Sequence, residues 1–301
     1  MNNLTTQSGK NVATTGHAVM PAAVEKAQAV LSQWFTSLRL LQTDARALRF
    51  TAQGGRADVE VQLEVLQPMM AAEARQRELF YLEAFAAARL THPNIARSSK
   101  PQQVEGLHFR VTEYKPEAAR LRDLLSRNGW LEMSAACDIA DQIAGAMDYA
   151  HRLGVLHLQL SPDCVWVEPN GRTTVAGFGI ERASQLAWAH GERARRLNAI
   201  YAGIEHASGA ACDERSDLYS LGAMLYEMLT DRVPFDSDDA DYVRERQLQY
   251  TPAPPHLIAT ELPEAISEVI MKLLEREQEN RFASAAEFKV ALDAARQAGK
   301  G

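Results

Sequence analysis

The sequence predicts an α+β fold in two lobes: a small antiparallel sheet with one long helix comes first, and a more helical half follows. Three observations lead there. Apolar and polar residues alternate in LRLLQ from Leu38, in ALRFTAQ from Ala47 and in DVEVQLEVLQ from Asp58, with Gly54-Gly55 before the last, which is the pattern of three antiparallel strands. The stretch from Ala71 to Leu90 is rich in Ala, Glu, Arg and Leu, all good helix formers. A chain of 301 residues, 46% hydrophobic and 24% charged, is large enough for two lobes with their own cores.

Taken in order, residues 1–20 carry Thr, Asn, Ser and Gly without periodicity and are expected to be a disordered tail. From Pro21, Val24, Ala27, Leu31, Trp34, Phe35 and Leu38 recur at helical spacing with proline in the first turn, so residues 21–37 are expected to form an extra amphipathic helix. It would cover the first lobe or dock a partner. The three strands and the long helix come next, then the loop THPNI and two further apolar strands that end in FRVTEYKP. Leu121 to Leu125 and Ala135 to Arg152 read as helices, the second strongly amphipathic. The stretch from Gly154 to Val167, GVLHLQLSPDCVWV, reads as an apolar run to His157, a tight polar turn, and a strand through Val165 and Val167. Further on, TPAPPH from Thr251 is a stiff extended connector, and residues 297–301 are expected to be a flexible end.

A net charge of −7 argues against non-specific binding to nucleic acid or an anionic membrane; Arg193, Arg195 and Arg196 form the one notable basic cluster. Cys137, Cys164 and Cys212 lie far apart with no CxxC spacing, which favours neither a disulfide framework nor a zinc site and fits a reducing cytoplasm. No stretch approaches the ~20 apolar residues of a membrane span, and MNNLTTQSGK lacks the core of a signal peptide. The eight histidines contain no HExxH, there is no GxSxG, and no cysteine stands in an evident Cys-His motif.

The run His157-Leu-Gln-Leu-Ser-Pro-Asp-Cys164 resembles the protein-kinase catalytic loop H-R-D-L-x-x-x-N. The string DERSDLYSLGAMLYEMLTDRVPF, from Asp213 to Phe235, is similar to the central helix of bacterial Ser/Thr kinases of the eukaryotic (Hanks) type, and the likeness runs from about Leu38 to Ala294. It implies a bilobal protein-kinase-like fold, with the N-lobe at 38–112, a hinge at 113–116 and a mainly helical C-lobe at 117–296.

Position by position, the resemblance implies a sorted loss. Gln42, Asp44 and Ala47 stand for the three glycines that close over ATP phosphates, and Glu64 stands for the phosphate-gripping lysine of V-A-I-K. Gln62 replaces the small residue against adenine, and Arg49 the second-strand valine across from it. Gln159 stands for the catalytic aspartate, Ser161 for the loop lysine, and Cys164 and Gly177 for the two metal-binding residues. Conversely Glu83, His157, Phe178, Glu205, Asp217 and Arg281 match positions that hold the family's fold together. Arg49 and Glu64 are expected to pair with Gln62 beside them, plugging the cleft. Glu83, its lysine partner lost, is expected to be solvated, or else to find an arginine or go with an outward-rotated helix.

These replacements imply a pseudokinase with no catalytic residue, no cofactor and no metal. It would be a non-catalytic scaffold or allosteric regulator in bacterial signalling, for a protein partner such as an active kinase or phosphatase. The alternatives are a divergent kinase or nucleotidyl- or phosphotransferase with residual ATP binding, and a small-ligand sensor using the cleft. Candidate partner surfaces are the N-terminal helix, the Arg193–Arg196 cluster and the acidic helix start from Asp236. Gln185 to Ile200 contains no Ser, Thr or Tyr, which excludes phosphorylation of that loop; Ser184 and Tyr201 border it.

Overall fold

A computed structural model describes residues 21–44, 46–54, 59–178, 196, 199–208 and 210–298. The first lobe opens with helix α1 (Pro21–Leu31) and strands β1 (Phe35–Thr43), β2 (Ala47–Gly54) and β3 (Val59–Leu66). Helices α2 (Pro68–Ala72) and α3 (Ala74–Ala88) lead to β4 (Gln102–Val104) and β5 (Leu107–Glu113). The five strands form one antiparallel sheet in the order β1-β2-β3-β5-β4. Strand alternation gives the sheet two unlike faces. Leu48, Phe50, Leu63, Val65 and Phe109 pack against Ala27, Val30 and Leu31 of α1. On the opposite face, Arg49, Glu64 and Arg110 stand abreast in register, with Thr51, Gln62 and Thr112 in the next row.

Two expected helices are shorter than their periodicity implied. The N-terminal helix stops at Leu31, not at residue 37, and Phe35 to Ser37 belong to β1. Ser32 Oγ caps the carbonyl of Ala29 at 3.0 Å, and the Trp34 N–H closes the end on Leu31. Phe35 then pairs with Gly54, whose missing Cβ leaves room for the Phe35 ring. The apolar spacing of Trp34, Phe35 and Leu38 thus continues a helical pattern into a strand. The long helix is broken at Glu73, which is extended at φ −86°, ψ 119°. The break seats Met70 against Leu66 and Phe80, and Arg77 Nη1 takes the free carbonyl of Ala71.

The second lobe contains β6 (Ala119–Arg120), α4 (Leu121–Asn128), α5 (Met133–Arg152), β7 (Val165–Val167) and β8 (Thr173–Val175). Then come α6 (Glu205–Ser208), α7 (Glu214–Thr230), α8 (Ala240–Gln249), α9 (Glu264–Leu273) and α10 (Ala285–Ala298). Gln297 and Ala298 are therefore helical, contrary to the expected flexible end; residues 299–301 and the expected tail at 1–20 lie outside the described residues. Helix α7 is buried along nearly its whole length, with Leu221 and Leu225 in one core with Ile143, Met147, Ile270 and Leu292. Its start is capped by the Asp213 carboxylate, which accepts the Arg215 N–H at 2.8 Å. The loop after α3 is stitched to the second lobe: Ala96 N–H donates to Val175 O at 2.9 Å and Val175 N–H to Asn94 O at 2.8 Å.

Candidate functional site

The cleft between the lobes is roofed by the polar face of the sheet, and this face is occupied by its own charges. At the β1–β2 turn, Asp44 Oδ1 accepts the backbone N–H groups of Arg46 and Ala47, each at 2.8 Å. The other Asp44 oxygen pairs with Arg49, and Arg49 Nη2 reaches Glu64 Oε1 at 3.3 Å. Glu64 Oε2 takes Arg110 Nε and Nη2, both at 2.6 Å. The expected Arg49–Glu64 pair is thus one link in a chain from Asp44 to Arg110. Burial pushes the Glu64 carboxyl up, but Arg110 and then Arg49 more than offset this and hold it at about 2. Gln62 lies one row along on the same face, with no described side-chain hydrogen bond. Gln42 pairs with Arg49 across β1 and β2, and Ala47 is buried.

Glu83 is not solvated, contrary to one expectation above. It is 5% exposed and paired with Arg46, while burial raises its pKa despite that arginine. The turn that carries Arg46 lies directly over α3, so an arginine from the turn reaches a carboxylate that the strand lysine position leaves unpaired.

Below the cleft, the loop from His157 to Cys164 hangs from α7. Asp217 accepts the backbone N–H groups of His157 at 2.8 Å and Leu158 at 2.6 Å, and His151 Nε2 lies 2.8 Å from the same carboxylate. These two amides hold Leu158 at φ 58°, a left-handed conformation that costs a branched residue ~1–2 kcal/mol. His157 Nε2 donates to Ala176 O at 2.9 Å, so Nδ1 is left to accept the Gln159 N–H at 3.3 Å. Its ring meets Phe178 edge-on at 4.8 Å. Cys164 Sγ donates to Gln159 O at 3.4 Å and lies 3.8 Å from Ser161 Oγ; burial raises its pKa. Gly177 has φ 93°, and a Cβ there would touch His157 and Cys164. Farther down, Arg281 forks onto Glu205 at 2.8 and 3.0 Å and donates also to the carbonyls of Glu275, Arg215 and Arg276.

The sequence reading missed Arg46, Arg110 and His151, and a second cluster in which Arg122 binds Glu227 at 2.8 Å and the Tyr201 hydroxyl at 2.6 Å. Arg122 also reaches Asp163 of the loop at 3.4 Å. Arg110 did leave a signal, as a charge on the inner face of an apolar strand; Arg46 and Arg122 left none. Of the basic cluster, Arg193 and Arg195 lie outside the described residues, as does Ser184, while Arg196 is bound to Asp236, Asp238 and Ser237 O. Tyr201 is buried. Among the described residues, no group of three His, Cys, Asp or Glu side chains could hold a metal ion, and no helix is long and apolar enough to cross a membrane.

Comparison with known proteins agrees with this architecture. Residues 66–291 match the protein kinase domain. The chain is 32% identical over 258 residues to the probable serine/threonine-protein kinase PknB of Bifidobacterium longum, covering 79% of this chain and 37% of that one. It is 27% identical over 270 residues to the serine/threonine-protein kinase PrkC of Bacillus subtilis, covering 88% and 42%. It therefore spans less than half the length of these two relatives. A crystal structure of the PknI kinase domain of Mycobacterium tuberculosis superposes with a TM-score of 0.66 at 26% identity, over 87% of this chain and 96% of that domain. With its five-stranded first lobe, its helical second lobe and a domain match across most of its length, this chain belongs to the Hanks-type Ser/Thr protein kinase family of bacteria.

Proposed function

We propose that this chain is a pseudokinase, a kinase-like protein that binds a protein partner and transfers no phosphate. One observation carries the reading: the turn amides of Arg46 and Ala47, which in the family's pattern would face phosphate, are already bonded to the Asp44 carboxylate at 2.8 Å. An internal anion thus takes the place of the external one, and Arg49 completes its neutralisation. The residues below do not fit a nucleotide–metal complex either. Gly177 has no side-chain oxygen, Cys164 offers a thiol whose pKa burial raises, and Glu64 repels phosphate where a cation is needed. Gln159 cannot serve as a base, since an amide takes up no proton near neutral pH, and losing a general base costs roughly 10²–10⁴ in rate. The reading also places the protein in a reducing cytoplasm, in keeping with three free cysteines.

The test is a thermal-shift series with ATP and ADP, with and without magnesium or manganese, beside a phosphotransfer assay on a generic protein substrate. A flat response and no transfer are the expected results. Transfer activity in the purified protein that a Glu64 substitution abolishes would refute the proposal. The double variant Asp44→Gly with Glu64→Lys, which removes the internal anion and restores a cation, is expected to open the cleft and give the first nucleotide-dependent shift.

A further inference from the structure

A second hollow lies in the helical lobe, away from the cleft. It is a cavity of about 300 Å³ between the end of α8, the middle of α7 and the segment after α9. This is at the small end of the ~300–1,000 Å³ range of ligand pockets. Its lining is mixed, with Tyr219, Phe235, Tyr250 and Leu274 beside the charged Glu275, Arg276, Glu277 and Arg281. Two donors, on Tyr219 and Arg276, stand there against the carboxylates of Glu275 and Glu277. Gln247 Nε2 lies 3.3 Å from the buried Tyr219 hydroxyl, whose own proton has no acceptor among the described residues. Burial pushes this phenol up to about 12, so at neutral pH it remains a donor. At the mouth, Arg276 spends its Nε on Gln247 O at 3.2 Å, and among the described residues its guanidinium has no ion-pair partner. Arg281, by contrast, is fully committed to Glu205 and three carbonyls.

We propose that this cavity binds an organic acid with a ring-sized apolar body, the ring against the aromatic and aliphatic side chains and the carboxylate at Arg276 with the Tyr219 hydroxyl in reach. An apolar body gains by leaving water, and one charged hydrogen bond at the mouth fixes its orientation. The same chemistry is offered by a free metabolite and by the C-terminal residue of a partner peptide. The site also has a readout within the fold: Gln247, which lines it, donates to Ala199 O at 2.8 Å and Ala202 O at 3.2 Å. An occupant therefore braces the segment that leads into the Glu205–Arg281 pair.

The experiment is a ligand titration of the full chain by heteronuclear NMR. The probes are N-acetyl-tryptophan, its amide as the uncharged control, acetate as the apolar-free control, and a tripeptide ending in tryptophan. Saturable shifts at Tyr219, Gln247 and Ala202 are expected with N-acetyl-tryptophan, about tenfold weaker with the amide, and none with acetate. Arg276→Gln, at an exposed position, is expected to weaken the acid about tenfold and leave the amide unchanged. Thr251→Trp at the exposed mouth is expected to abolish both. Tighter binding of the tripeptide than of the free acid assigns the site to a partner's C-terminus, and the reverse to a metabolite. No saturable shift at millimolar probe, or equal affinity for wild type and both variants, overturns the proposal. None of these outcomes depends on whether the cleft binds nucleotide.

Discussion

The two lobes use buried charge in opposite ways. In the helical lobe, Asp217 is wholly buried, and Glu205 and Arg281 are nearly so; Asp217 and Arg281 are spent on backbone groups that fix the path of a loop, and Glu205 pairs with Arg281. In the sheet lobe, Asp44, Arg49, Glu64 and Arg110 are spent mainly on one another, and Asp44 and Arg49 are 38% and 25% exposed. Deleting a member of the first set leaves loop amides or carbonyls without partners. Deleting a member of the second removes a link from a chain that has others. A frame charge is therefore tied to the fold, and a cleft charge to the space it fills.

That contrast is sharpest in denaturant unfolding. Asp217→Ala and Arg281→Ala are each expected to cost about 3–5 kcal/mol, because each leaves buried polar groups or a buried charge uncompensated. A loss below about 1 kcal/mol in either would erase the distinction between the lobes. Glu64→Ala comes next, at about 2 kcal/mol, since it strands the 7% exposed Arg110. Arg49→Ala is expected to cost only about 1 kcal/mol, because Glu64 keeps both hydrogen bonds from Arg110.

Acid titration separates carboxylates within the cleft. The Glu64 carboxyl is depressed from 4.5 to about 2 on folding, so its contribution is present above pH 4.5 and is lost as the pH falls toward 2. Glu64→Gln is expected to flatten the stability profile across that window. Glu83 has the opposite sign. Its pKa is raised by burial, so its contribution is present below the ordinary carboxylate value and is lost as the pH rises through the folded value. Glu83→Gln is accordingly expected to leave stability at neutral pH unchanged within about 0.5 kcal/mol or to raise it slightly, read by the urea midpoint. A large loss there would show that the Arg46 pair holds the helix in place.

How much of this was legible varies with the length scale of the interaction. Strand alternation over Val61 to Leu66 put positions 62 and 64 on one face, because a side-chain period of two is a local property. The pairing of Arg49 with Glu64 followed once two strands were placed side by side. Arg110 of β5, the turn's Arg46 and the Arg122–Glu227–Tyr201 cluster did not follow, since they join residues 46, 37 and up to 105 positions apart. Helix ends were misjudged for a related reason. Trp34, Phe35 and Leu38 satisfy a helical spacing, but Phe35 gains more by packing on Gly54 across the sheet.

The sequence by itself determined the fold class, the order of strands and helices, and which positions depart from the family's residue pattern, because periodicity and residue type are written in the chain. Tertiary structure alone decided where each charge is spent: Asp44 on its own turn, Glu83 on Arg46, Arg276 on a single carbonyl at the mouth of a cavity. The physical reason is that an ionic group chooses among partners within a few ångströms of space, and folding sets those distances between residues the sequence keeps far apart.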